Sequence, residues 1–286
     1  MQQMIEQNRI SPASRVVFVN DGSTDKTWEM IQELHKEDRL FSGIDLSRNR
    51  GHQNALLAGL MTVKDIADVT ISMDADLQDD IDAIDQMLDQ YFNGCDIVYG
   101  VRSKRQTDTF FKRFTAESFY HLMRWLGADI VFNRADYRLM SQRALQGLSQ
   151  FKEVNLFLRG LVPLVGYRSG IVTYERHERF AGESKYPLKK MLAFAVEGIT
   201  ALSTRPIRFI SQLGVGIFLF SICILLHFLL RYFTGNTVTG WASIAVSVWA
   251  IGGLQLLAIG VIGEYIGKIY LESKSRPRYI IEQFLH

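Results

Sequence analysis

The sequence predicts an α/β domain, a mostly parallel sheet flanked by helices, followed by two apolar helices near the C-terminal end. Three observations carry this. Short apolar runs alternate with helical patterns through the first half of the 286 residues, and polar turns close each run. Charge then nearly vanishes: from Phe209 to Gly263 the only charged residue is Arg231.

Taken in order, Met1–Ser14 reads as part of a first helix leading directly into a strand. Arg15–Asn20, Phe41–Leu46, Val69–Met73 and Asp96–Gly100 are short apolar runs of strand type. Asp25–Glu37, His52–Val63, Ile81–Tyr91 and Phe110–Leu126 carry the helical spacing between and after them. Ligands of parallel α/β sheets bind beyond the carboxyl ends of the strands. Asn20-Asp21-Gly22-Ser23, Ser47-Arg48-Asn49-Arg50-Gly51 and Asp74-Ala75-Asp76 all fall at such ends, a nucleotide-site pattern. Neither a P-loop nor a G-x-G-x-x-G run is present, so the usual ATP and NAD fingerprints are absent.

Two of these turns carry candidate chemistry. Asp21 to Asp25 is a strand-to-helix turn in which Ser23 or Thr24 is placed to cap the helix. That leaves Asp21 either an ordinary turn residue or an acceptor for the imide N–H of a uracil. Asp74 and Asp76, two residues apart on extended chain, project to one side. They can share one hard cation, Mg2+ or Mn2+, with a diphosphate. The alternative is a solvated turn that starts the next helix.

The second half holds a basic cluster, Tyr174 to Tyr186, in which Arg176, Arg179 and Lys185 suit phosphate. From Pro187 to Ser203, Leu188, Met191, Leu192, Ala195, Ile199 and Leu202 recur at helical spacing. That pattern fits a helix in the membrane interface or a core helix. Phe209–Leu230 and Trp241–Gly263, joined by Thr234-Gly235-Asn236-Thr237, are each about 33 Å long as helices, enough to cross a bilayer core. Arg205 and Arg208 precede the pair, and Lys268, Lys274, Arg276 and Arg278 follow it. The positive-inside rule therefore places both ends in the cytoplasm.

The remaining composition excludes other classes. Met1–Ile10 is polar and lacks the apolar core of a signal peptide. Cys95 and Cys223 imply neither a disulfide framework nor a zinc site. A net charge of +2 argues against a dedicated nucleic-acid binder.

In order along the chain stand Val19-Asn20-Asp21-Gly22-Ser23, Arg48-Asn49-x-Gly51, Asp74-x-Asp76-Leu77-Gln78-Asp79, Arg102-x-x-Arg105 and Asp136-Tyr137-Arg138-Leu139. Arg176-x-x-Arg179-x-x-Gly182-x-Ser184-Lys185, Glu197-Gly198-Ile199-Thr200, Gly263 to Tyr270 and Arg276-Pro277-Arg278-Tyr279 follow. This series resembles the family 2 glycosyltransferases of the polyprenyl-phosphate type, above all the bacterial undecaprenyl-phosphate (bactoprenol) glucosyltransferases. The resemblance runs from about Val16 to the C-terminus.

It implies a GT-A fold that binds a UDP-sugar donor, with Asp21 by the uracil and Arg48 and Arg102 near the nucleotide. Asp76 and Gln78 would hold Mg2+ or Mn2+, with Asp74 by the ribose or the metal. Asp136 falls at the family's candidate catalytic carboxylate, as a base or as an orienting group. Arg105, Arg176, Arg179, Ser184 and Lys185 would face diphosphate or the phosphate of a polyprenyl acceptor.

The implied activity is metal-dependent, inverting transfer of a hexose, most simply glucose, to undecaprenyl phosphate. It would take place at the cytosolic face of a bacterial inner membrane, for cell-envelope modification. The implied division is a catalytic domain over 1–186, an interfacial region over 187–207, the two spans within 208–270, and a cytosolic tail over 271–286. A homo-oligomer is compatible with it.

Two departures stand out. The family's opening strand and V-P-x-x-N-E type turn have no counterpart, and Asn133-Arg134-Ala135 replaces the usual Gly before Asp136. They leave as an alternative a catalytically inactive, truncated homologue kept for binding or assembly at the membrane; and since no residue discriminates sugars, the same enzyme class with an amino-arabinose or mannose donor is another.

Overall fold

A computed structural model describes residues 1–76, 78–102, 134–175, 199–200, 203–233 and 240–286. The expected helix over 110–126, the amphipathic segment before Ser203 and the 234–237 turn lie outside them, apart from isolated residues of the second. The chain divides into two compact units. One comprises Met1–Asp108, Val131–Lys185 and Ser275–His286, the other Thr109–Ile130 and Tyr186–Lys274.

The first unit contains, in chain order, α1 (Gln2–Glu6), β1 (Val16–Asn20), α2 (Thr27–Glu37), β2 (Phe41–Leu46), α3 (His52–Val63), β3 (Val69–Ser72) and α4 (Ala83–Phe92). It continues with β4 (Ile97–Arg102), β5 (Arg134–Ser141), α5 (Gln142–Leu148), α6 (Leu158–Leu164), β6 (Ser169–Tyr174) and, at the C-terminus, β7 (Ile281–Leu285). The α/β organisation is as the sequence predicts, with β2 and α3 at the expected bounds.

Three local expectations change. Only Gln2–Glu6 of the N-terminal segment is helical. Helix α2 begins at Thr27 rather than Asp25, because the Asp25 carboxylate accepts the Thr27 N–H at 3.0 Å and its hydroxyl at 2.5 Å. The N-cap position is Lys26, without a side-chain capping bond, so neither Ser23 nor Thr24 caps the helix as expected. The third change is in the sheet, which is mixed. Among the described residues the strands form two sheets, β1-β2-β7 and β3-β5-β4-β6. Parallel pairing joins β1 to β2 and β4 to β6, whereas β7 runs antiparallel to β2, and β5 runs antiparallel to both β3 and β4.

Alternation along the second sheet sorts its side chains onto two faces. Ile97, Tyr99 and Met140 pack with Leu57 and Leu60 of α3 and with α5 and α6. Val98, Tyr137, Leu139, Val172 and Tyr174 pack with Ala83, Met87 and Leu88 of α4. In the first sheet Ile44 and Leu46 bury against Ala55 and Ala58 of α3, with Ile281 and Phe284 of β7 alongside. The stretch from Ile281, expected as a tail, is therefore a strand. Its register sets Gly43 opposite Leu285 and Asp45 opposite Gln283.

The second unit holds α7 (Arg205–Phe233) and α8 (Trp241–Ser273), of 29 and 33 residues. At about 1.5 Å per residue both exceed the roughly 30 Å of a bilayer core. The Tyr265 hydroxyl donates to the Ser203 carbonyl at 2.6 Å. Large apolar side chains on both helices stand open, Leu230 at 67% and Leu256 at 70% exposure. Among the described residues one stretch, Ile251–Ser273, is long and apolar enough to cross a membrane. Helix α8 itself continues unbroken past Gly263, the expected end of the second span, to Ser273.

Candidate active site

The site is built where β3 and β5 part. The antiparallel register sets Ser72 opposite Arg138, so Asp74 and Asp136, each two residues further toward the same end, come to neighbouring positions. The Ser72 hydroxyl secures the crossing by donating to the Asp136 carbonyl at 2.6 Å. Asp136 and Arg138 lie two apart on β5 and share the face that packs on α3 and α6.

Asp136 is 6% exposed and Arg138 2%. Arg138 Nη2 donates to Asp136 Oδ1 at 2.6 Å. Arg159, from the first turn of α6, reaches Oδ2 through Nη2 at 3.1 Å and Oδ1 through Nε at 3.5 Å. His52, the first residue of α3, brings Nε2 within 3.2 Å of Asp136 Oδ2 and 3.6 Å of Asp74 Oδ1. Its neighbour Gln53 accepts the Leu158 N–H at 2.9 Å, which fixes the start of α6 beside the start of α3.

Electrostatics follow from this packing. Burial pushes the Asp136 carboxyl up, but the His52 hydrogen bond and the Arg159 and Arg138 charges outweigh it and hold it far below the usual range. His52 is raised, first by its hydrogen bond to Asp136, against the opposing effect of burial. Asp74 is raised, chiefly by burial, with His52 opposing and the carboxylates of Asp136, Asp79 and Asp76 adding to the rise.

That crowding of carboxylates fits the chemistry of a divalent cation, which removes such repulsion. Asp76 Oδ1 accepts the Gln78 N–H at 3.2 Å, so the turn holds the two side by side, Gln78 being 6% exposed. Asp79, 3% exposed, adds a buried carboxylate oxygen without a hydrogen-bond partner among the described residues. Also among the described residues, no three His, Cys, Asp or Glu side chains form a ready cage for a metal. Asp74, Asp76 and Gln78 would therefore leave coordination positions to diphosphate oxygens and water.

The remaining expected residues form two further groups. Asp21 accepts the N–H groups of Arg50 at 2.7 Å and Gly51 at 2.9 Å, tying the turn after β1 to the turn after β2. Gly22 permits that approach. Its φ is +61°, and a Cβ there would lie 2.5 Å from the Arg48 and Asn49 backbone. Both Asp21 oxygens are thus engaged by the turn, and Arg48 stands exposed beside it. Arg102 Nε donates to the Tyr174 hydroxyl at 3.4 Å, which donates to Asp79 Oδ1 at 2.5 Å. Burial, then the Asp79 hydrogen bond, pushes Tyr174 up to about 12. Arg105, Arg176, Arg179, Ser184 and Lys185 lie outside the described residues.

His52, Arg138, Arg159 and Tyr174 are the participants the sequence expectations lack. Arg138 was legible from its spacing, since a strand puts residue i+2 on the face of residue i. A single arginine interrupting the apolar run from Leu156 to Leu164 was the signal for Arg159. Nothing local marks His52 beyond its place after Gly51.

The glycosyl transferase family 2 profile matches residues 2–148. A Bacillus subtilis (strain 168) protein named uncharacterized glycosyltransferase YkoT is 50% identical over 279 residues, 98% of this chain and 83% of the relative. The bactoprenol glucosyl transferase of Shigella phage SfX is 42% identical over 272 residues, 93% of this chain and 88% of the relative. A prophage bactoprenol glucosyl transferase homolog of Escherichia coli (strain K12) is 39% identical over 273 residues, 94% and 88% respectively. With acidic turns at the strand ends, a buried carboxylate among cations, and these matches along nearly its whole length, the chain belongs to glycosyl transferase family 2.

Proposed function

We propose that this enzyme transfers glucose from UDP-glucose to undecaprenyl phosphate at the cytosolic face of a bacterial inner membrane. The observation that carries this reading is the pairing of Asp74 with the Asp136–Arg138–Arg159 cluster through His52. It sets a carboxylate site suited to a cation directly beside a cluster of cationic side chains of the type that suits phosphate. The names of the relatives supply the lipid carrier and the sugar. The long apolar helix supplies a membrane attachment, and basic residues at both flanks of the helical pair support cytosolic ends.

In this reading Asp76, Gln78 and Asp74 hold Mg2+ or Mn2+, which when bound neutralises charge on the diphosphate. Arg48 and Arg102 lie toward the nucleotide, and Asp21 keeps the turn that faces the base. Arg105, Arg176, Arg179, Ser184 and Lys185 serve the phosphates. A phosphate oxygen of the acceptor attacks the anomeric carbon while the bond to the UDP β-phosphate oxygen breaks, and UDP departs with that electron pair. The configuration inverts. A phosphate monoester has a second pKa of about 6, so the attacking oxygen is ionised at neutral pH and no base need remove its proton.

The test is sugar transfer by membranes containing the chain, with radiolabelled UDP-glucose, undecaprenyl phosphate and Mg2+ or Mn2+. Lipid labelling that requires the metal and disappears in Asp76→Ala is the expected result. Absence of labelling with UDP-glucose, or labelling indifferent to chelation, refutes the reading.

A further inference from the structure

We propose that Tyr174 and Tyr137 are positioning residues that hold the cation-binding turn from behind, through Asp79 and Asp80. The proposal rests on the reading above in one respect, that Asp74, Asp76 and Gln78 hold the cation.

Residues 73–82 connect β3 to α4 and carry all three of those side chains. The near end of this connection is set by the β3–β5 register, which places Asp74 beside Asp136. Its far end is met by two hydroxyls from the face of the sheet that packs on α4. Tyr174, the last residue of β6, donates to Asp79 Oδ1 at 2.5 Å, and Tyr137 of β5 donates to the Asp80 carbonyl at 2.8 Å. That carbonyl also accepts the Ala83 N–H at 3.3 Å, so the contact is made where α4 starts. Asp76 and Gln78 lie between the two fixed ends.

The sheet brings both hydroxyls to this point. Tyr137 follows Asp136, so alternation sends it to the opposite face. Its ring meets that of Tyr174 edge-on, with centroids 5.1 Å apart and planes at 86°. Strand β4 runs between β5 and β6, and Gly100 leaves the space that this meeting needs. A Cβ there would lie 2.9 Å from Tyr137 Cδ1 and 3.0 Å from the Tyr137 carbonyl oxygen. Tyr137 is fully buried and Tyr174 is 3% exposed, so close packing fixes both rings. The Tyr174 hydroxyl in turn accepts Arg102 Nε at 3.4 Å, from the residue paired with it across β4 and β6.

The chemistry of the contact suits a cation site. Carboxylates gathered in one turn repel one another, and ordering them before the ion arrives spares the ion that cost. A guanidinium would hold Asp79 but also cancel its charge, as Arg138 does at Asp136. A hydroxyl holds it and leaves the charge. Asp79 is 3% exposed, and its Oδ2 has no hydrogen-bond partner among the described residues. Burying such an oxygen is costly, and packing alone gives no reason to keep it.

The test is Mn2+ binding to the purified full-length protein, read as loss of the free-ion signal in electron paramagnetic resonance, followed by calorimetric titration with UDP. Tyr174→Phe removes one oxygen and keeps the ring. It should raise the Mn2+ dissociation constant roughly fivefold or more without changing the number of ions bound, and Tyr137→Phe should raise it roughly threefold or more. Because no ligand is removed, UDP affinity at Mn2+ concentrations that saturate the variant should return to within about twofold of wild type. In an Asp79→Ala background, Tyr174→Phe should add less than about twofold.

A UDP deficit that persists at saturating Mn2+ is the mark of general damage and overturns the proposal. Losses that multiply in the Asp79→Ala/Tyr174→Phe variant overturn it as well. Should Tyr174→Phe not fold, Tyr137→Phe, which leaves the Asp80 carbonyl its bond to Ala83, carries the same test. A wild type that binds no Mn2+ refutes the cation reading and this proposal with it, whereas wild-type binding that both tyrosine variants leave unchanged refutes this proposal alone.

Discussion

Removing the Asp136 carboxylate should destabilise the first unit far more than its small size suggests, and removing Arg138 as well should restore much of the loss. The side chains are 8% and 2% exposed, and their contact is 2.6 Å, so solvent screening does little to weaken it. Breaking a buried ion pair from one side costs about 3–5 kcal/mol, because the surviving charge stays buried without its partner. Replacing both partners with apolar groups is often close to neutral.

At roughly 2–4 °C per kcal/mol for a domain of this size, Asp136→Ala should lower the thermal midpoint by about 6–20 °C. Asp136→Ala/Arg138→Met should recover at least half of that. The assay is thermal unfolding of the purified protein in detergent without nucleotide, with circular dichroism confirming native secondary structure at low temperature. A midpoint within about 2 °C of wild type for Asp136→Ala would refute the reasoning. So would a double variant less stable than the single.

Two further outcomes test the frame around the site. Removing residues 281–286 uncovers the edge of β2 and the apolar groups that Ile281 and Phe284 cover. Such an edge invites pairing with another chain, so the truncated protein should shift to large aggregates on size-exclusion chromatography, and a monodisperse peak at the wild-type position would count against it. Asp96 accepts from Ser141 at 2.9 Å and pairs with Arg143, whose hydrogen bond, against some burial, lowers the Asp96 carboxyl below its ordinary range. A depressed folded-state carboxyl contributes stability above its unfolded value of about 3.9, and that contribution fades as pH falls through the folded value. Wild type should therefore exceed Asp96→Asn by about 1 kcal/mol at pH 7, since Arg143 is 64% exposed, and the gap should close below pH ~4. A gap that widens in acid would sink the assignment.

Legibility in the sequence tracked locality. Strand β2 and helix α3 were readable to the residue because their bounds are set by local patterns, an apolar run after a polar turn and a glycine before a helix. Gly51, at φ +84°, is such a boundary. The start of α2 was misplaced by two residues because several polar side chains crowd the turn and only folding shows that Asp25 bonds Thr27 ahead of the helix. Strand β7 was hidden for a different reason. Its pattern is short, it follows the basic end of α8, and its partner β2 belongs to the opposite end of the chain. The antiparallel setting of β5 escaped for the same reason, since register between distant strands has no local mark. At the site, Asp21, Asp74 and Asp76 were readable because they follow strand ends, whereas Asp136, inside β5, was marked only by the family resemblance. Their partners His52 and Arg159 begin two different helices, and only tertiary packing brings them together.

This distribution has a chemical consequence. The proposed transfer of a sugar to an already ionised phosphate oxygen needs little proton chemistry and much control of charge. Here one buried carboxylate is surrounded by donors, while the neighbouring carboxylate, Asp74, is crowded by others of its own sign. The first arrangement holds cationic side chains, and the second would favour a cation. Opposite arrangements built from the same residue type are thus joined by His52. Their separation is fixed by the β3–β5 register, because shifting one strand by a residue would turn Asp74 or Asp136 to the opposite face. Ser72, which donates to the Asp136 and Arg138 carbonyls at 2.6 and 3.4 Å, therefore helps to hold that register. It is the register of the pair, more than either carboxylate alone, that makes the charge pattern.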